Sequence, residues 1–270
     1  MSKILGGPEN TMLAPLYQID AFTDKVFGGN PAAVCPLEQW PADELLQAIA
    51  AENNLSETAF LVKNDKDFEL RWFTPEIEVD LCGHATLASA FVVFNHLDYQ
   101  GRQVRFHTRS GELNVRQSDD LLAMDFPSRK PSPVEPPELL VEALKSPPGE
   151  VLKSRDYLAV FDDEEAILAI TPDFDLLKKL DCLGIIITAK GNASDFVSRF
   201  FAPAAGVPED PVTGSAHCTL IPFWSERLEK KTLMAVQVSK RGGTLYCEDR
   251  GDRVSIAGKA VMYSAGFIQV

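Results

Sequence analysis

The chain has 270 residues, of which 45% are hydrophobic and 24% charged, values typical of soluble globular proteins with room for two domains. Its net charge of −13 disfavours nucleic acids and anionic membranes as partners, because both bind clustered lysine and arginine. No apolar run approaches the roughly 18 residues of a membrane span. Five scattered cysteines without a CxxC pair favour a reducing, cytoplasmic compartment. Since no nucleotide-binding glycine motif and no HExxH occurs, we expect no cofactor and no metal.

The N-terminal segment, residues 1–11, is polar and lacks the apolar core of a signal peptide. Met12 is an alternative start, so we leave this segment out of the predicted fold. Residues 42–52 place four apolar side chains at helical spacing and predict a helix, and the apolar stretch AFLV just after Glu57 predicts a strand. Glu57 therefore stands where a helix gives way to a strand, a place from which a side chain can enter a cleft. A solvated surface glutamate is the alternative.

An internal repeat is the most informative feature of the chain. Residues 67–75, DFELRWFTP, share five positions with residues 195–203, DFVSRFFAP, at a shift of 128. Both segments alternate and end at a proline, which predicts two strands. Further on, residues 104–113 match residues 236–245 at a shift of 132. Two matches in the same order indicate that the chain is a duplicated unit.

Each half carries a second shared element between its two repeated segments: an acid, a short turn, a glycine and an apolar stretch. In the first half the stretch is residues 84–97, which are apolar on nearly every face and predict a helix that is buried all round. The second stretch, residues 215–228, is similar but contains Pro222, which predicts a kink or a broken first turn.

The boundary between the halves is predicted at residues 127–150, which hold seven of the 18 prolines and are expected to form a linker. An N-terminal half at 12–126 and a C-terminal half at 151–265 then each contain several strands and one enclosed helix. This inventory favours an α+β fold of two pseudo-symmetric half-domains, each a β-barrel-like sheet wrapped around a central helix.

Reactive side chains gather at the start of both helices. His84 would lie in a first turn, where free N–H groups and the helix dipole attract anions and favour the neutral imidazole; a core-capping histidine is the alternative. Asp210, Thr213 and Ser215 precede or begin the second helix, and simple caps are the alternative for them. If the duplication makes a pseudo-twofold pair, both helices begin at one cleft, and these groups meet Glu57 there.

Six segments, of which FGGNPAAV (27–34) is the first and GVPEDPVTGSAHC (206–218) the last, follow one another along the chain. Together they resemble the phenazine-biosynthesis isomerase-like (PhzF-like) family, which shares the diaminopimelate-epimerase-like fold, and in particular its branch of phenazine-biosynthesis-like domain proteins. The resemblance implies a cofactor-free isomerase with its site between the halves. It also implies a homodimer and a last strand, from about residue 266, that returns to the first half. The segments are FGGNPAAV (27–34), NLSETAF (54–60), RWFTP (71–75), LCGHATLA (81–88), FFAP (200–203) and GVPEDPVTGSAHC (206–218).

The resemblance matches Glu57 to the family's catalytic acid/base, and His84, Asp210 and Ser215 to other residues of its site. We therefore expect acid/base proton transfer on a small anionic substrate, a carboxylate or an amino-acid-like molecule. Backbone N–H groups beside the two glycines would hold the carboxylate and stabilise negative charge. The residues expected to bind substrate are Asn30, Cys82, Gly83, Ala85, Thr213, Gly214, Ser215 and Ala216.

Two alternatives remain open. Related epimerases use two opposed thiols, but Thr213 stands where the internal alignment would need a partner for Cys82. A two-thiol racemase is therefore disfavoured, while a thiol-assisted epimerase that uses Cys82 and another acid is an alternative. A non-catalytic small-molecule-binding or regulatory protein that kept the fold is the other.

Overall fold

The first half of the chain folds into a curved sheet around one helix. A computed structural model describes residues 13–270, so the segment before the alternative start at Met12, and Met12 itself, lie outside the described residues. The central helix is buried along most of its length, as its all-round apolar sequence predicts. In chain order the elements are β1 (Leu13–Ala21), β2 (Asn30–Leu37), α1 (Asp43–Asn53), β3 (Glu57–Asn64), β4 (Asp67–Phe73), β5 (Glu78–Val79), α2 (Gly83–His96), β6 (Gln103–Thr108), β7 (Gly111–Ser118) and β8 (Leu121–Pro127).

Within residues 13–270, no helix has the length and apolar character that crossing a membrane requires.

The second half repeats this plan with additional short helices. In chain order the elements are β9 (Ser132–Pro133), α3 (Glu138–Leu144), β10 (Glu150–Lys153), β11 (Tyr157–Val160), α4 (Glu164–Ala169), α5 (Phe174–Leu177), β12 (Ile185–Lys190), β13 (Phe196–Ala202), β14 (Val207–Asp210), α6 (Gly214–Arg227), β15 (Thr232–Gln237), β16 (Gly243–Asp249), β17 (Arg253–Gly258) and β18 (Ala260–Gln269).

One mixed sheet runs through both halves, and β8 joins them by pairing antiparallel with β17. The repeated segments occupy equivalent places in this sheet. Strand β4 is antiparallel to β3 and parallel to β6, and β13 is likewise antiparallel to β12 and parallel to β15. The predicted α+β fold, in which each half wraps a sheet around a central helix, is thereby confirmed.

The second central helix, α6, does not have the broken first turn that Pro222 led us to expect. It runs from Gly214 to Arg227 with Pro222 inside it. Proline has no N–H, so the carbonyl of Cys218, one turn earlier, lacks its usual helical donor. The backbone N–H of Arg129 donates to that carbonyl at 2.9 Å instead. A donor from the segment after β8 thus replaces the missing helical hydrogen bond.

Two predicted boundaries differ from the structure. Residues 127–150 are not a bare linker: β9 pairs with β10, and α3 buries one face against the core of the second half. The prolines lie on both sides of a proline-free stretch, ELLVEALKS, whose apolar residues have helical spacing. The returning strand is also longer than expected, because β18 pairs with β1 from Ala260 onwards rather than from about residue 266.

Candidate active site

The two central helices begin at glycines that face each other. A methyl group placed on Gly83 would lie 3.6 Å from the Cα atom of Gly214, and one placed on Gly214 would lie 3.7 Å from the Cα atom of Gly83. The two backbones therefore leave space for little more than a methyl group between them. Because the first N–H groups of a helix have no acceptor within it, both helices direct backbone donors towards this junction between the halves.

The carboxylate of Glu57 reaches the imidazole of His84 at the junction. The chain leaves α1 through Asn54, whose φ of 49° turns it sharply, and Glu57 then opens β3. His84 is the second residue of α2. The Oε2 atom of Glu57 lies 3.0 Å from Nε2 of His84. Both atoms are buried, and neither makes a hydrogen bond of good geometry among residues 13–270, so this is a close contact of two titratable groups rather than a formed hydrogen bond.

Asn30 connects this pair to the second half. Its Nδ2 atom lies 3.2 Å from Nδ1 of His84 and donates to Oδ1 of Asp210 at 2.8 Å and to the carbonyl of Val212 at 3.0 Å. On the same side of the imidazole, Sγ of Cys82 lies 3.5 Å from Nδ1. Asp210 and Val212 already accept the two amide hydrogens of Asn30. The thiol of Cys82 is therefore the group that forms a hydrogen bond with Nδ1 of His84.

Asp210 is held by its own turn and by a residue that sequence reasoning missed. The hydroxyl of Thr213 donates to Oδ2 of Asp210 at 2.5 Å. Gln237, at the end of β15, donates from Nε2 to the carbonyl of Asp210 at 2.7 Å and accepts the N–H of Thr213 at 2.8 Å. Gln237 lies inside the repeated segment VQVSK. Because this polar side chain is buried, it needs hydrogen-bond partners, which Asp210 and Thr213 provide.

Burial sets the ionisation of Asp210. Burial, with a smaller contribution from nearby Glu57, raises the pKa of this carboxyl group to about 6, against the opposite effects of His84 and of the hydrogen bonds from Thr213 and Asn30. Asp210 therefore changes its charge close to neutral pH, which suits a group that orients a substrate or passes a proton.

The expectation of a neutral imidazole at His84 is wrong. Burial lowers the pKa of His84, but the neighbouring Cys82 and Glu57 outweigh burial and hold this pKa well above its ordinary value. Burial also raises the pKa of the Cys82 thiol, which disfavours a thiolate there. The neighbouring Cys82 and Glu57 thus raise the pKa of His84 against both burial and the field of the helix terminus.

Three of the predicted residues lie slightly apart from this network. Ser215 is partly exposed and accepts a hydrogen bond at 3.2 Å from Nη2 of Arg155, a residue that no sequence motif indicated. Ala85 and Ala216 are buried in the first turns of α2 and α6, where they offer only backbone N–H groups. The structure brings the remaining predicted residues together around the facing glycines: Asn30, Glu57, Cys82, Gly83, His84, Asp210, Thr213 and Gly214.

A clamp between the halves positions Asn30. Arg241 forms an ion pair of 2.7 Å with Asp20, which is buried in β1. It also donates to the carbonyls of Gly28 and Gly29, each at 2.8 Å. These glycines precede Asn30 directly, so a residue of the second half holds the turn that carries it. The buried acid in the apolar strand YQIDAF is the only signal of this clamp that the sequence contains.

Glu57, Cys82 and His84 also have the residue types of a metal site. Each offers one ligand atom, and the three atoms lie within 4.8 Å of one another. The imidazole, however, contacts the carboxylate through Nε2 and the thiol through Nδ1. The carboxylate and the thiol lie at different nitrogens of the ring. A metal ion bound to all three residues would therefore require the imidazole to lose one of these two contacts.

The fold and the junction place the protein in the diaminopimelate-epimerase-like class, in which two similar halves enclose the site. A family model described as phenazine biosynthesis-like protein matches residues 19–266. The crystal structure of a phenazine biosynthesis protein of the PhzF family from Enterococcus faecalis superposes with a TM-score of 0.94. It is 48% identical to this chain and covers 96% of it and 100% of its own chain.

Curated sequences agree with this assignment. An uncharacterized isomerase of Pseudomonas aeruginosa is 56% identical over 255 residues, which cover 94% of this chain and 98% of that protein. The phenazine biosynthesis-like domain-containing protein 1 of Mus musculus is 40% identical over 285 residues, which cover 94% and 99%. The chain belongs to the phenazine biosynthesis-like family, and it is an enzyme of the isomerase class.

Proposed function

We propose that this isomerase works without a cofactor and moves a proton on a small carboxylate or amino-acid-like substrate, with Glu57 as the acid/base. The observation that supports this best is the 3.0 Å contact between the Glu57 carboxylate and the His84 imidazole, placed beside the two facing helix starts. An acid/base pair next to unpaired backbone donors is the combination that proton transfer beside a carboxylate needs.

In the proposed reaction, Glu57 removes a proton next to the substrate's carboxyl or carbonyl group and returns it elsewhere on the same molecule. Backbone N–H groups at 83–85 and 214–216 bind the carboxylate and stabilise the negative charge that develops. The protonated His84 lowers the cost of that charge. Asp210, whose pKa of about 6 lets it hold or release a proton, orients an ammonium or hydroxyl group of the substrate.

Solvent deuterium incorporation tests this proposal. A screen of amino-acid and hydroxy-acid substrates in D₂O should find at least one that exchanges a proton. Glu57→Gln should then lower the exchange rate by about 10²–10⁴-fold, the usual contribution of a general acid/base. The matched control is Glu76→Gln, which changes an exposed glutamate between β4 and β5. Near-normal exchange in the Glu57 variant would remove Glu57 from the mechanism.

The thiol-assisted epimerase is the second candidate, because Sγ of Cys82 lies 3.5 Å from the imidazole. This reading needs a thiolate, whereas burial raises the pKa of Cys82. Cys82→Ser should therefore retain most of the exchange activity, and a loss as large as that of Glu57→Gln would favour the epimerase. A ligand that binds without any proton exchange would favour a binding protein instead.

A homodimer in the cytoplasm completes the proposal. Strand β18 is an edge strand that pairs only with β1 among residues 13–270, and it exposes 71% of Phe267. Phe27, which is 68% exposed, contacts Tyr263 of the same strand. Exposed aromatic side chains on an unpaired strand edge favour pairing with a second copy. Light scattering should give twice the mass of 29.7 kDa, and Phe267→Glu should reduce it; a wild-type monomer would contradict this part.

A further inference from the structure

The second half contains a turn that corresponds to the one carrying Asn30. The correspondence starts at the repeated strands, where Phe73 and Phe201 are equivalent positions. Thr58 in β3 lies opposite Phe73, and Ile185 in β12 lies opposite Phe201. Thr58 and Ile185 are therefore equivalent as well.

The next strand inwards extends this correspondence to the site. Strands β2 and β11 run parallel to β3 and β12, with Ala33 and Tyr157 opposite the two equivalent positions. Counting back three residues along each strand makes Asn30 and Ser154 equivalent. The turn at residues 154–156 thus enters the junction from the second half as the Asn30 turn does from the first.

The contacts of the two turns agree with this equivalence. Asn30 lies 3.2 Å from the imidazole of His84, the second residue of α2. Arg155, which follows Ser154, donates from Nη2 to the hydroxyl of Ser215, the second residue of α6, at 3.2 Å. The first half therefore brings a neutral amide to its helix start, and the second half brings a guanidinium group.

Arg155 is anchored but still accessible. It binds Asp156 through Nε and Nη2, with the shortest contact 2.8 Å, and the side chain of Asp156 is only 1% exposed. One third of the Arg155 side chain remains exposed. A guanidinium group held on one edge by a buried carboxylate presents its other donors in a fixed orientation.

Arg129 supplies a second cation at the same helix. Its backbone N–H donates to the carbonyl of Cys218, which ties it to α6. Its Nη1 atom is buried and has no hydrogen-bond partner among residues 13–270. Arg129 thus meets α6 at Cys218, three residues after Ser215, which Arg155 contacts, so the two arginines approach neighbouring turns of the same helix. A buried guanidinium nitrogen without an acceptor has a hydrogen-bond donor available for an anionic ligand.

We propose that Arg155 and Arg129 form a carboxylate-binding subsite around Ser215, and that the substrate is a dicarboxylate. This inference rests on the proposed function. One carboxylate binds at the backbone N–H groups beside Glu57, where the proton is removed. The second carboxylate accepts hydrogen bonds from the two guanidinium groups and from the Ser215 hydroxyl. The planar fork of arginine matches the two oxygens of a carboxylate. The first half performs the chemistry, and the second half selects the substrate.

Binding of succinate and butyrate tests the subsite without any turnover. The two acids have the same number of carbons and differ by one carboxylate. Wild-type protein should bind succinate about tenfold more tightly than butyrate by calorimetry, the difference that one hydrogen-bonded charge pair makes. Arg129→Gln should abolish this preference without weakening butyrate, and Arg155→Lys, which keeps the charge but loses the fork, should reduce it. The control Arg116→Gln changes an exposed arginine of β7 and should have no effect.

The design avoids a loss of folding and separates the two proposals. Arg155→Gln would leave the buried Asp156 unpaired, so Arg129→Gln, which breaks no ion pair among residues 13–270, is the decisive variant. Glu57→Gln should bind succinate as the wild type does while losing proton exchange. Equal binding of the two acids, no binding of either, or an unchanged preference in both arginine variants would overturn the subsite. Normal exchange in Glu57→Gln overturns only the proposed function.

Discussion

The starts of α2 and α6 have the same backbone and different chemistry. Both begin at a glycine, and the two glycines face each other at the junction. The first turn carries His84 beside the carboxylate of Glu57. The second carries Ser215 beside the guanidinium group of Arg155. The two halves thus present similar helix starts with different side chains: a carboxylate and an imidazole meet at the first, and a guanidinium group approaches the second.

The scaffold behind the two turns has not diverged in the same way. Arg71 binds Glu78 through Nε and Nη2 at 2.8 and 2.7 Å. Arg199 binds Glu209 through the same atoms at 2.8 and 3.0 Å. Both pairs connect a repeated strand to the segment that leads into the central helix, so they position the helix starts. The comparison shows that the supporting ion pairs were kept while the residues at the junction changed.

Glu57, the proposed base, has no counterpart in the second half. Counting back one residue from the equivalent positions Thr58 and Ile185 places Glu57 opposite Gly184 in the alignment of the halves. A side chain at Gly184 would collide with the ring of Phe200, so the second half has no space for a base there. The asymmetry favours proton removal and return by a single carboxylate over a symmetric two-base mechanism.

The largest expected effect comes from making the first turn like the second. His84→Ser removes the cation beside Glu57 and should lower proton exchange by about 10²–10⁴-fold, because the imidazole takes part in the acid/base step. Ser215→Ala removes a hydroxyl group and should cost far less, about tenfold, since only a hydrogen bond is lost. Exchange rates in D₂O measure both. Equal losses in the two variants would show that the chemistry is shared between the halves.

The second prediction concerns the duplicated ion pairs. Arg199→Ala should lower the free energy of unfolding by about 2–4 kcal/mol, because it leaves the largely buried Glu209 without its partner. Arg71→Ala should cost less, because Arg109 still lies 2.8 Å from Glu78. The exposed pair of Arg250 and Glu248 provides the control, and Arg250→Ala should cost less than about 1 kcal/mol. Urea unfolding measures the three variants. If Arg199→Ala loses no more stability than the control, the ion pair of Arg199 and Glu209 does not stabilise the second half as we expect.

The smallest expected effect concerns the protonation of His84 and His217, one histidine in each central helix, which should differ in their dependence on pH. His217 in α6 is fully buried with Nδ1 2.8 Å from the carbonyl of Thr213, and burial lowers its pKa to about 4. The pKa of His84 in α2 is raised instead, for the reasons given above. NMR titration should therefore show His84 protonated at pH 7 and His217 neutral down to about pH 4.

The sign of the stability change follows from these shifts. A lowered folded-state pKa makes His217 contribute stability above about pH 6.5, the ordinary value for histidine, and this contribution is lost as the pH falls towards 4. A raised pKa makes the ion pair of His84 contribute stability at low pH, and this contribution is lost as the pH rises through the raised value. His217→Gln and His84→Gln should thus change the pH profile of unfolding in opposite directions. Parallel profiles would contradict the assignment.

Much of the fold could be predicted from the sequence, because it depends on patterns of neighbouring residues. The repeated strands differ from other strands by their shared residues, and the helix at residues 84–97 shows by its apolar faces that it is enclosed. Residues 127–150 were predicted to be a linker because of their many prolines. These prolines lie on both sides of α3, so their number says nothing about the helix between them. Pro222 does not break α6, because the N–H of Arg129 supplies the missing donor, and the local sequence does not indicate that donor.

The sequence by itself determined the duplication, the two glycine-led helix starts and the set of reactive residues near them, since each depends on a pattern within a few neighbouring positions. Tertiary structure alone decided the charge of His84, the place of Gln237 beside Asp210, the clamp of Arg241 on Asp20 and the contact of Arg155 with Ser215. Electrostatic and hydrogen-bonding effects fall off within a few ångströms. They therefore act between residues that only the folded chain brings together.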